Sequence, residues 1–115
     1  TAIALCGNSN ISYTPSGPGD ILEDLGGCLS TDEHYSVWYS FTIGTAGTLG
    51  FTITSNNLPD DYDFGVYGPN KTCANFGAPI RCNYAGSNPA GVTGLALTPP
   101  YTGYWSQYLD VLLII

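Results

Sequence analysis

Residues 36–54 read SVWYSFTIGTAGTLGFTIT. Before the GTAG at 44–47, Val37, Tyr39, Phe41 and Ile43 fall on one face of an extended chain. After it, Leu49, Phe51 and Ile53 do the same. An apolar period of two marks a half-buried strand, and a glycine at each end of the break is turn chemistry. The stretch predicts two strands joined as a hairpin, with Trp38 facing away from Val37 and Tyr39.

The same pattern recurs on either side. YDFGVYG at 62–68 turns Tyr62, Phe64 and Val66 inward. AIALC at 2–6 predicts a first strand, and GVTGLALT at 91–98 and YLDVLLII at 108–115 predict later ones. SGPGD, SNNLPDD, GPN, AGSNPAG and TPPYTG supply turns between them. A helix is suggested only by GDILEDLGG at 19–27, where Asp20 as cap and Gly26 as stop allow a turn or two. Many short strands with regular turn clusters predict an all-β fold. We expect a jelly-roll-like antiparallel β-sandwich, a single domain over 1–115 stapled by two disulfides.

Composition excludes several functions. Of 115 residues 43% are hydrophobic and only 10% charged, against about 25% charged in an ordinary soluble domain. The net charge is −7, and Lys71 and Arg81 are the two cations. They cannot make a basic patch, which argues against nucleic acid and against anionic lipid. The terminal apolar run is far shorter than the roughly 20 residues that span a bilayer, so no membrane insertion is expected. The sequence opens at Thr1 without a signal peptide and reads as a mature secreted form.

Cys6, Cys28, Cys73 and Cys82 are an even set in a short chain, which fits disulfides and an oxidising compartment. Zinc would want close CxxC or CxxH spacings, which are missing. Four cysteines permit three pairings; local closure favours 6–28 with 73–82 without deciding it.

SVWYSFTIGTAGTLGFTIT, DDYDFGVYGP, CANFGAPIRCNYAG and GLALTPP, with the earlier ALCGN and GGCL, together resemble a β-sandwich module. It is common in secreted and cell-surface proteins of Bacteroidota, among them gliding-motility-associated and adhesin-like proteins. The hairpin and aspartate-rich strand are also similar to pre-peptidase C-terminal type domains. The resemblance covers roughly residues 3–100. It implies a non-catalytic module that binds, spaces or displays. The sequence departs from the pattern after TPP, where one apolar strand follows.

The side chains agree with a non-enzyme. His34 lies in the polar stretch STDEHYS, beside Asp32 and Glu33, and neighbours on an extended chain rarely form a triad. Asp61 and Asp63, two apart on a strand, would stand about 7 Å apart on one face. That spacing is permissible for glycoside hydrolysis, but a small sandwich offers no deep groove. Asp60, Asp61 and Asp63 also crowd three negative charges. Calcium would neutralise them with hard oxygen ligands; the alternative is that they cap turn N–H groups. Calcium is the one cofactor considered. Asn10-Ile11-Ser12 and Asn70-Lys71-Thr72 are glycosylation sequons near turns.

Two features point to partners. Tyr101, Tyr104, Trp105 and Tyr108 crowd one loop-like stretch, too many rings for a surface that meets only water. They suit a protein interface or, in a second reading, a glycan-binding adhesin platform. In 109–115, Leu109, Val111, Leu113 and Ile115 share one face; Leu112 and Ile114 make the end of the other face apolar as well. Such a strand is either an exposed edge that another copy must cover or a central strand of its own sheet. TAIALC at 1–6 is the other candidate for exchange. The expected function is a secreted structural subunit of an extracellular filament or cell-surface assembly, a homopolymer joined by terminal strand complementation and aromatic-rich contacts.

Overall fold

The computed structural model describes residues 2–7, 10–14, 16–17, 22–29, 35–57, 60, 62–84, 92–95, 103–105 and 110–114. All regular elements among them are strands: β1 (Ile3–Ala4), β2 (Trp38–Thr42), β3 (Gly47–Leu49), β4 (Phe51–Thr54), β5 (Phe64–Tyr67), β6 (Arg81–Asn83), β7 (Val92–Leu95), β8 (Gly103–Trp105) and β9 (Asp110–Ile114). The fold is all-β. The described part of the expected helical turn, 22–27, is not helical; it serves instead to cover one face of the main sheet.

The main sheet has the order β1-β2-β9-β5-β6. β1 runs parallel to β2. β9 lies antiparallel to both of its neighbours, with Tyr39 and Val66 each opposite Leu113, and β6 is antiparallel to β5. β9 (Asp110–Ile114) thus takes the interior of the two places open to it: both of its edges are filled within its own chain.

The expected hairpin of 36–43 with 48–54 does not form. β3 pairs with β8 and β4 with β7. β9 lies along one edge of β2 over all of Trp38–Thr42, and β1 along part of the other, opposite Tyr39 and Ser40. After GTAG the chain therefore leaves the sheet and packs over its face. Leu49, Phe51 and Ile53 join Ile3, Leu5, Val37, Phe41 and Ile43 around buried Tyr39, Phe64 and Val66. The alternation read from the sequence holds, but it serves packing face to face, not pairing edge to edge. Phe51 meets Phe64 edge-on at 5.1 Å. Each buried side chain of this size contributes about 1.5–3 kcal/mol.

The sheet's other face is also buried. There Leu25, Trp38 and Tyr67 form a second core, with Ala2, Leu29, Cys73 and Phe76 packed against it. Irregular chain over 22–29 and 72–78 supplies this cover. β5 accordingly reads Phe-Gly-Val-Tyr with all four residues buried. At Gly65 a Cβ would fall 2.8 Å from Leu29 Cδ1 and 3.0 Å from the Tyr67 ring, so a larger residue there would push these side chains aside.

One disulfide joins described residues, Cys28–Cys82, with Cα atoms 6.1 Å apart. Cys6, exposed, and Cys73, half-buried, are not part of it. The expected pairs 6–28 and 73–82 are corrected on both counts. Local closure was the wrong guide because 26–29 crosses the sheet beside β6, the edge strand that carries Cys82. Gly26 and Gly27 take positive φ of 64° and 62° to make that turn. A disulfide fits an oxidising environment. Among the described residues, no helix is long and apolar enough to cross a membrane.

Candidate functional site

The second core carries a network of side-chain hydrogen bonds. Trp38 Nε1 donates to both oxygens of Glu23, at 3.0 and 3.2 Å, and Ser36 Oγ donates to Glu23 Oε2 at 2.9 Å. The indole is thereby held by its one polar atom. Its ring centre lies 5.4 Å from that of Tyr67 and 4.9 Å from that of Phe76; Tyr67 and Phe76 are 5.2 Å apart, edge to face. Three mutually contacting rings at such distances are a rigid unit. The Tyr67 hydroxyl is buried and donates to the Leu25 carbonyl. Its pKa is pushed up to about 12, first by burial and then by the negative charges of Glu23 and Asp24.

Above this unit a shallow, open cleft of about 360 Å³ runs between two walls, one holding Asp24 and Gly26, the other Ala74–Ala78. Asp24 Oδ1 accepts from the Gly26 N–H at 3.1 Å, which fixes the carboxylate in its wall. The opposite wall begins as a tight turn in which Asn75 N donates to the Thr72 carbonyl at 2.9 Å. The walls are close: a Cβ on Gly26 would lie 3.8 Å from Ala78 Cα. The disulfide ties the first wall to β6 just beyond the second. Lys71 stands at the rim, its Nζ 4.0 Å from where a Cβ on Gly77 would be.

The residues singled out by sequence are scattered. Asp60 belongs to a turn: its carboxylate accepts from the Asn57 amide at 3.2 Å and its N–H donates to the Asn57 carbonyl, while Ser55 Oγ donates to the same carbonyl. The carboxylate's bond is to a side-chain amide and not to a backbone N–H. Asp63 is exposed just before β5, and Asp61 lies outside the described residues. Tyr104 and Trp105 are in β8, opposite Thr48 and Gly47. Val111, Leu112, Leu113 and Ile114 are in β9. Tyr101, Tyr108, Leu109, Ile115 and His34 lie outside the described residues. Asn10 and Asn70 are both exposed, as a glycan acceptor must be.

Sequence reasoning missed Glu23, Asp24 and Phe76. The first two sit in the segment read as a helical turn. The only available signal was negative: a Trp on the face away from the first core needs a polar partner for its N–H, and a carboxylate upstream could have been sought. No protein-family model, no curated protein and no solved structure matches this chain.

Proposed function

We propose that the chain is a non-catalytic structural subunit of an extracellular filament or cell-surface assembly, a jelly-roll-like sandwich whose copies join by exchanging a terminal strand, with aromatic contacts around β8 adding to the joint. The observation that carries this reading is the placement of β1. It is two residues long, lies at an edge of the main sheet, and pairs parallel to β2 with Ile3 opposite Tyr39. Its continuation, Leu5, donates its N–H to the Ser40 carbonyl at 2.8 Å. Ile3 and Leu5 plug the first core and Ala2 the second. The described residues beyond it, 6–7, 10–14 and 16–17, are exposed.

Such a strand combines main-chain pairing with anchoring side chains, the recipe for strand addition between molecules. β9 is the weaker candidate for exchange. Withdrawing it would separate β2 from β5 in mid-sheet, whereas withdrawing β1 opens only an edge. Head-to-tail exchange of β1 need not close, and so builds a fibre. The carboxylates Glu23, Asp24 and Asp60 are engaged in structural hydrogen bonds, which favours a non-catalytic role.

Light scattering over a wide concentration range tests the reading. Mass should rise with concentration. Ile3→Ser with Leu5→Ser should lower it, and a synthetic peptide of residues 1–7 should shorten the polymers. A protein that stays monomeric at the highest concentration reached overturns the proposal.

A further inference from the structure

The geometry points to a second property, independent of assembly: the cleft between Asp24–Gly26 and Ala74–Ala78 is a binding site for one pyranose unit of a neutral glycan. The cleft volume of about 360 Å³ is at the lower end for small-ligand sites, which suits one sugar ring with an open side through which a chain would continue. Phe76 lines it, and its ring is braced from behind by Trp38 and Tyr67. A braced aromatic ring is a rigid apolar surface for the C–H face of a sugar.

The polar groups around that ring are of mixed kind. Asp24 has one oxygen on Gly26 N–H and offers the other as an acceptor. The Asn75 amide both donates and accepts, and the Lys71 ammonium at the rim donates. Acceptors and donors bordering one ring match the hydroxyls of a neutral sugar, each of which does both. A purely cationic ligand would meet Lys71, and an anionic one would meet Asp24. The walls are preorganised: the disulfide and the tight approach of Gly26 to Ala78 hold them without a ligand, so little ordering opposes binding.

The test is amide NMR titration of the whole chain with methyl glycosides of glucose, galactose, mannose and N-acetylglucosamine at millimolar concentration. Glycerol and tetramethylammonium serve as controls. At least one glycoside should shift the amides of Asp24, Gly26, Asn75, Phe76 and Gly77 in a saturable way, and glycerol should not. Asp24→Asn, Asn75→Ala and Phe76→Ala should each weaken binding about tenfold. The first two change exposed side chains, so they remain informative even where Phe76→Ala destabilises the fold. No saturable shift with any glycoside overturns the inference. So does a response confined to other residues, or one to tetramethylammonium alone, which would make the cleft a cation site.

Discussion

The Tyr67 hydroxyl donates a 2.7 Å hydrogen bond to the backbone carbonyl of Leu25, 42 residues earlier. Tyr67 and Leu25 are both buried, so the bond pins an irregular segment onto the back of the sheet where water cannot replace it. Tyr67→Phe removes the donor and strands the carbonyl, which costs about 1–3 kcal/mol. Urea unfolding should show that loss with an unchanged slope. A Tyr67→Phe variant as stable as the original would mean that 22–29 is not held this way.

The same hydroxyl gives the protein a limit at high pH. In the unfolded chain it ionises near pH 10; folded, it is pushed up to about 12 by burial and by Glu23 and Asp24. A raised folded pKa means that this stabilisation is complete below about pH 10 and is lost as pH climbs toward about 12. The loss amounts to at most about 3 kcal/mol. Burial raises Tyr39 too, with help from Tyr13 and Tyr62, and acts in the same direction. Stability measured from about pH 8 to about pH 11 should fall above about pH 10, and less steeply in Tyr67→Phe. Identical curves for both proteins would sink the assignment.

The disulfide spans 54 positions, and closing a loop of that length stabilises by about 4 kcal/mol through chain entropy. Reduction should lower the melting temperature by more than about ten degrees for a domain of this size. Mass spectrometry of unreduced digests should find Cys28 linked to Cys82. Finding Cys6 linked to Cys28, or Cys73 to Cys82, would contradict the chain path over β6.

Two glycines should respond differently to alanine. Gly27 has φ of 62°, and a Cβ there would be 2.6 Å from Pro79 Cγ. Gly27→Ala should cost about 1–3 kcal/mol. Gly44 has open space around it, so Gly44→Ala should be neutral to within about 0.5 kcal/mol. Equal effects at the two positions would refute the close packing of 26–29 on Pro79.

The strands were legible because their period of two is intrinsic to the sequence. Val37, Tyr39, Leu49, Phe51, Phe64 and Val66 all reach the core that their alternation predicted, and Trp38 faces away as expected. Pairing was not legible, since it depends on which edges remain open. β2 looked free to pair with its neighbour in sequence until β9, distant along the chain, is seen to occupy that edge. β6 went unnoticed for a similar reason: Arg-Cys-Asn has no alternation and becomes a strand by lying against β5. The cleft was hidden because its walls, around Asp24–Gly26 and Ala74–Ala78, are far apart along the sequence.

The position of β9 also sets an order of events. The main sheet consists of two halves, β1-β2 and β5-β6, whose backbones are hydrogen-bonded together only through a strand encoded after both. A chain emerging from its first residue has both halves long before it has the piece between them. Joining them closes large loops, so folding should be slow and governed by distant contacts. Until 110–114 emerge, β2 and β5 expose facing rows of backbone donors and acceptors, open to any extended segment nearby. The five-stranded sheet is thus completed only by its central strand, once 110–114 are present.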